Sequence, residues 1–201
     1  MIVKQNQDNL DEIGSVIRSG GVIAFRSDTF YGLGADPFNP QAVQRIRDLK
    51  GREDKKPILV VISDTPQVNR LIASRSRSFD ELTERFWPGP LTVIGEAAAA
   101  LPIELTAGTK TVGVRLPDDD KVRALVAACG GALTATSANA SGQSPARTAE
   151  ETEKYFDNQL DLIVDGGHAK SEAPSTVVDA TTDQLRLIRE GVLPWSEIRR
   201  V

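Results

Sequence analysis

The apolar residues of this chain recur at helical spacing in some stretches and gather into short unbroken runs in others. Leu10, Ile13, Val16 and Ile17 share one face of a helix that Asp8 can cap and Ser19-Gly20-Gly21 stops. The run "VIAF" (22–25) then reads as a buried strand. A Gly-rich loop, "RSDTFYGLGADPFN", leads to a second helix with Asn39 as N-cap and Pro40 as first helical residue. Its apolar face is Ala42, Val43, Ile46 and Leu49; Lys50 falls at its C-terminus and Gly51 ends it.

"PILVVI" (57–62) is apolar throughout, as expected of a strand covered on both faces. Leu71 and Ile72, then Phe79, Leu82 and Phe86, predict helical segments that "WPGP" breaks before the strand "LTVI". In "TVGVRLP" the residues Thr111 and Arg115 share a strand face, four being an even number of strand steps. A helix over about 119–129 follows, then the strand "ALTAT" and the loop "SANASGQSPART". A helix from about Thr148, the strands "LIVD", "STVVD" and "LRLI", and a helix near Pro194 complete the pattern. Strands alternate with helices but also occur in succession. This predicts an α/β fold with a mixed sheet and flanking helices, and with no long linker it predicts one domain over 1–201.

Composition narrows the function classes. With 40% apolar and 26% charged residues in 201, the chain has ordinary globular composition. No apolar run approaches the roughly 20 residues of a membrane span, and "MIVKQNQDNLDE" lacks a signal-peptide core, so the expectation is a cytoplasmic protein without membrane contact. The single cysteine, Cys129, falls in step with Val122, Leu125 and Val126 and reads as core. The only histidine, His168, sits in the turn "DGGHAK", so neither a histidine-based zinc site nor Ser-His-Asp chemistry is expected. A formal charge of −4 argues against a dedicated nucleic-acid binder.

There is no P-loop, and "GLGADP" holds only the first two glycines of a dinucleotide fingerprint. What stands out is a set of loops rich in hydroxyls and amides: Ser27, Thr29, Thr134 to Asn139, Ser141, Ser144, Ser175 and Thr176. Turn hydroxyls commonly cap their own backbone. Lys50, Arg52, Arg115, Arg147 and Arg189 stand at element ends beside such loops, which points toward a phosphate or carboxylate pocket.

"LKGRED", "WPGPLTVI", "TVGVRLP", "TSANASG", "STVVD" and "LIREG", in this order and at these spacings, resemble the threonylcarbamoyl-AMP synthase family (YrdC/TsaC type) over about residues 8–193. The family signature, a K-x-R pair working with an S-x-N pair, is matched by Lys50, Arg52, Ser137 and Asn139. The resemblance implies a twisted, open, mixed α/β sheet with a concave basic groove, in the one-domain form. It implies a reaction of L-threonine, bicarbonate and ATP, with Mg²⁺, that yields threonylcarbamoyl-adenylate and pyrophosphate. The product would feed threonylcarbamoyl-adenosine formation in tRNA, with tRNA or a downstream transferase as partners. Position by position, Thr29 and Arg115 fall where the family holds threonine, Arg115 as the carboxylate clamp. Lys50, Arg52, Lys56, Thr111, Ser137, Asn139 and Arg189 fall at ATP-contacting positions, and Lys50, Arg52, Ser137 and Asn139 are the expected catalytic set.

Two positions depart from the family pattern. Where relatives usually carry Pro-Thr-Asp/Glu-Thr, this chain has "RSDT", so Arg26 brings a charge in place of a fixed φ and is expected to mark a shifted loop. Val61 stands where some relatives carry histidine. Two rival readings remain at this level: a non-catalytic RNA-binding module, which 5% aromatic content disfavours, and a carbamoyl-adenylate-handling paralogue such as the similar domain of hydrogenase maturation proteins.

Overall fold

A computed structural model describes residues 1–51, 56–139, 142–169, 171 and 173–200. The first helix, Leu10–Arg18 (α1), follows a 3-10 turn, Gln7–Asn9, capped by Asn6, whose side chain accepts from the N–H groups of Asp8 and Asn9. The cap therefore lies two residues before the Asp8 that sequence suggested. The helix Pro40–Lys50 (α2) is capped as expected: Asn39 Oδ1 accepts from Ala42 N at 3.1 Å, and Gly51 ends it at φ 89°. Its stripe of Ala42, Val43 and Ile46 is buried, which fixes the rotation of the helix and hence the direction of Lys50.

The strands form two mixed sheets. In the first, Ile2–Lys4 (β1), Ile23–Arg26 (β2), Tyr31–Gly34 (β3), Thr136–Ser137 (β8) and Leu162–Asp165 (β9) run in the order β1-β9-β2-β3-β8. The second holds Val60–Ile62 (β4), Leu91–Glu96 (β5), Thr111–Arg115 (β6), Ala132–Thr134 (β7), Thr176–Asp179 (β10) and Arg186–Arg189 (β11), ordered β11-β10-β5-β6-β4-β7. The mixed α/β expectation holds, with the strands divided between two sheets where sequence suggested one. Three strands were not foreseen. β1 is three residues long, β8 begins where sequence suggested the end of one strand and the start of a loop, and β3 lies inside the Gly-rich segment. There, a Cβ on Gly34 would stand 2.9 Å from the Phe25 ring, so the glycine lets that ring pack across the hairpin.

The chain crosses between the two sheets three times, most tightly at β7 to β8. β7 pairs with β4 in one sheet, and β8, one residue later, pairs with β3 in the other. Thr134 stitches the junction: its N–H donates to Ala35 O, its Oγ1 accepts from Ala35 N at 2.8 Å, and it donates to Leu33 O. Between the two strands, Ala135 N donates to Leu59 O at 2.7 Å.

One apolar cluster, including Leu33, Ile46, Val60, Phe79, Leu82, Leu91 and Val114, packs the helices on the sheets. The helices Val68–Leu71 (α3), Arg77–Phe86 (α4) and Ile103–Thr106 (α5) precede the helix Asp120–Ala128 (α6), which a second cluster joins to α1 through Ile13, Ile17, Val122, Leu125, Val126 and Cys129. Each fully buried aliphatic side chain contributes about 1.5–3 kcal/mol. The two helices approach so closely that a Cβ on Gly14 would meet Ala128 O at 2.2 Å. Cys129 is a core residue, and burial pushes its thiol up to about 12, with Arg18 opposing only in part. Among the described residues no helix is long and apolar enough to cross a membrane.

Candidate functional site

A cavity of about 530 Å³ opens where the two sheets meet, lined by side chains from both. Ser27, Thr29, Tyr31, Ser137 and Asn139 come from the first sheet and its loops. Thr92, Arg115, Ser175 and Arg189 come from the second, while Lys50 enters from the end of α2 and Lys56 from the loop before β4. The second sheet supplies its groups as one cross-strand row. Val61 pairs with Arg115, Val93 with Val114, and Val177 with both Thr92 and Arg189. Thr92 therefore stands one step along from the Val93–Val114 pair, opposite Arg115.

Lys50 is buried, and its Nζ donates to Ser137 O at 2.8 Å, Asn139 Oδ1 at 2.8 Å, Asn139 O at 3.1 Å and Ser137 Oγ at 3.4 Å. Ser137 Oγ donates to Asn139 Oδ1, and Asn139 Nδ2 to Gln143 O. Thus the lysine of the K-x-R pair and both members of S-x-N form a single hydrogen-bonded cluster. The ammonium also sits at a helix C-terminus, where the peptide dipole favours a cation.

Arg115 is buried at the end of β6, its Nη2 2.7 Å from Asp28 Oδ1. The contact lies outside hydrogen-bond geometry, and Arg115 Nη1 is buried with no hydrogen-bond partner among the described residues. Burial holds this guanidinium below the ordinary arginine range, with Asp28 opposing. Arg189, exposed as a whole, donates from Nη2 to Ser175 O at 2.9 Å. Partial burial and then the nearby Arg115 cation hold it below the usual range as well. Two cations close enough to repel, one with an unused buried donor, are suited to an anion.

Thr29 Oγ1 lies 3.1 Å from Ser27 Oγ, which donates to Phe30 O. Tyr31 donates its hydroxyl to Gly167 O at 2.9 Å, and burial, then the Asp165 carboxylate, push its phenol above the ordinary tyrosine range.

Of the nine site residues expected from sequence, the cavity gathers Thr29, Lys50, Lys56, Arg115, Ser137, Asn139 and Arg189. Arg52 lies outside the described residues, as does Ser141. Thr111 does not line the cavity: it shares the face of Arg115 but stands about 13 Å away along β6, its hydroxyl 2.9 Å from that of Thr109. Arg147 does not line it either and donates to Ala169 O. Exposed His168 also lies elsewhere. Arg26, expected to mark a shifted loop, stands outside the cavity lining. It is buried, donates from Nε to Gly166 O at 2.7 Å, and pairs with Asp119 at 2.7 Å. Sequence reasoning missed Thr92, whose Oγ1 lies 2.9 Å from Ser175 Oγ; the one signal was a hydroxyl inside the apolar "LTVI". Among the described residues no three His, Cys, Asp or Glu side chains gather as metal ligands.

The Sua5/YciO/YrdC family model, described as "Telomere recombination", matches residues 15–191. The chain belongs to this family. The matched span takes in every lining residue from Ser27 to Arg189. Among relatives, the threonylcarbamoyl-AMP synthase of Pyrococcus abyssi is 35% identical over 185 residues, 92% of this chain and 54% of that protein. The threonylcarbamoyl-AMP synthase of Halorhodospira halophila is 35% identical over 163 residues, 81% of this chain and 85% of the relative. The structure of Pyrococcus abyssi Sua5 in complex with L-threonine superposes with a TM-score of 0.94 at 32% identity, covering all of this chain and 60% of that one. The chain thus spans little more than half the length of the archaeal relative and most of the bacterial one.

Proposed function

We propose that this protein is an L-threonylcarbamoyladenylate synthase, joining L-threonine, bicarbonate and ATP and releasing pyrophosphate. The observation that carries the reading is the buried Arg115, with an unused donor, lining one cavity with the Lys50–Ser137–Asn139 cluster. It stands in a chain whose relatives are named for this reaction and include a protein crystallised with L-threonine.

The chemistry needs no protein nucleophile. The threonine amino group and bicarbonate give a carbamate with loss of water. A carbamate oxygen then attacks the α-phosphorus of ATP, and the bond to the β-phosphate oxygen breaks. The protein's task is to hold the reactants in line, neutralise charge and keep water away from two labile intermediates. Arg115 takes the threonine carboxylate, as a planar fork suited to a carboxylate, and Thr29 stands beside it. Lys56 and Arg189 at the cavity wall face the phosphates. Lys50, held by Ser137 and Asn139, supplies a fixed positive charge among them. Mg²⁺ would enter with ATP as part of the substrate, where it would neutralise phosphate charge. The product's natural use is transfer of the threonylcarbamoyl group to an adenosine of tRNA, directly or through a partner transferase.

The test is pyrophosphate release from Mg·ATP with threonine and bicarbonate supplied or omitted. Release that requires both is expected. ATP turnover indifferent to threonine, or salt-sensitive tRNA binding with no turnover, would overturn the reading.

A further inference from the structure

The loop that carries Thr29 is tied to the segment that leaves Arg115 by two ion pairs of opposite polarity. From the loop side, Arg26 gives its cation to Asp119 and Asp28 gives its carboxylate to the cation of Arg115, each at 2.7 Å. All four side chains are nearly withdrawn from water, at 4% and 15% exposure for the first pair and 6% and 12% for the second. Asp119 is four residues beyond Arg115 and is held in its own right, since its Oδ1 caps α6 by accepting from Lys121 N and Val122 N. Arg26 is fixed on its other side too: Nε donates to Gly166 O, and a Cβ on Gly166 would come within 3.0 Å of that nitrogen.

Across the hairpin, Arg26 pairs in register with Tyr31, whose hydroxyl reaches the same turn at Gly167 O and Asp165 Oδ1. The loop 27–30 is therefore gripped at both stems against the turn 165–167. Through Arg26 alone it is also anchored to the start of α6.

We propose that the Arg26–Asp119 pair is a positioning device for the amino-acid end of the cavity, setting the gap between Thr29 and Arg115. Arg26 does not line the cavity and acts through the residues that do. A buried ion pair is a poor source of stability but a strict setter of register, because neither charge tolerates losing its partner. Bidentate capture of a small zwitterion depends on such spacing, since a misplacement of about 1 Å can cost on the order of 10²-fold. The nucleotide end of the cavity, built from Lys50, Ser137, Asn139 and Arg189, hangs on other elements. The pair should therefore govern one substrate and not the other.

This inference rests on the synthase reading, so the unaltered protein is assayed first; an absence of threonine-dependent pyrophosphate release there refutes that reading itself. Given activity, Arg26→Met and the milder Asp119→Asn are compared by steady-state kinetics in both substrates. The expectation is a threonine KM raised about tenfold or more in each variant, with the ATP KM within about twofold. The double variant should be no worse than the poorer single one, as for groups acting as a unit. An unchanged threonine KM in Asp119→Asn, or parallel changes for both substrates, would overturn the assignment. If Arg26→Met fails to fold, Asp119→Asn alone decides, because Asn can still cap α6.

Discussion

Lys50 Nζ and Asn139 Oδ1 stand 2.8 Å apart although 89 residues separate them in the chain. Their contact joins the end of α2 to the loop after β8. Lys50 is accordingly a buried cation and not a solvated one. Replacing Lys50 by Met would remove its hydrogen bonds to Ser137 O, Asn139 Oδ1 and Asn139 O, and bonds from a charged donor are worth about 1.5–3 kcal/mol each. We expect Lys50→Met to lose roughly 2 kcal/mol or more in urea unfolding and about 10²-fold in turnover. Ser137→Ala and Asn139→Ala should lose turnover similarly, with combined losses short of multiplicative. A stable Lys50→Met protein with full turnover would contradict the cluster's role.

Arg115 should not tolerate lysine. A lysine keeps one positive charge but loses the planar fork, and its shorter reach leaves Asp28 without its partner. Arg115→Lys is expected to raise the threonine KM at least about tenfold, and Arg115→Ala further, toward the 2–5 kcal/mol seen when one partner of a buried charge pair is removed. The ATP KM serves as the control. Equal changes in both would take the carboxylate away from Arg115.

Acid should weaken the fold by a specific route. Burial alone would raise the carboxyls of Asp119 and Asp161, yet Arg26 with the Val122 and Lys121 N–H groups, and Arg45 with Val22 N–H, hold them below the usual range. A depressed folded value means stability that is complete above the unfolded value of about 3.9 and is lost as pH falls through the folded one. Stability should therefore be level above about pH 5 and decline below about pH 4. The gap between the unaltered protein and Asp119→Asn should narrow over that decline, as read from urea midpoints at stepped pH. A gap that stays constant would sink the assignment.

Gly191 of "LIREG" is needed for space. A Cβ there would lie 2.1 Å from Pro174 O and 2.6 Å from the Ser175 carbonyl carbon, both backbone atoms that cannot swing aside. Ser175 holds Arg189, so the strain would reach the cavity. Gly191→Ala is expected to cost about 1–3 kcal/mol, the range for overpacking, and to lower ATP affinity with it. A thermal midpoint identical to that of the unaltered chain would refute the close approach.

How much of this could be read from residues alone depended on the range of the signal. Helices with a cap and a buried stripe were legible, α2 most of all, because Asn39, Pro40 and Gly51 act within a turn of where they stand. β3 was not, because glycines at 32 and 34 erase the alternation of side chains that marks a strand. Lys50, Arg115, Ser137 and Asn139 stood out in sequence as cations and polar groups at element ends, but their separate roles came only from the family likeness. Their contacts bridge sheets and helices far apart in sequence. Thr92 escaped because its place opposite Arg115 is set by the register of β5 on β6, which no local pattern encodes. The role of Arg26 was hidden for the same reason, its partner being 93 residues away.

The shared stretch from β7 to β8 carries a consequence for chain length. Leu133 is registered on Val61 and Ser137 on Gly32, so the segment 133–137 is anchored at both ends with no slack between. Inserting or deleting one residue there would turn Ser137 to the opposite side of its strand, away from Lys50, because strand side chains alternate. No adjustment elsewhere could recover it while Thr134 stays locked to Leu33 and Ala35. The distance along the chain from the core of one sheet to the ligand wall of the other is a fixed count, and loops at 107–110 or 181–185 can vary in length where this segment cannot.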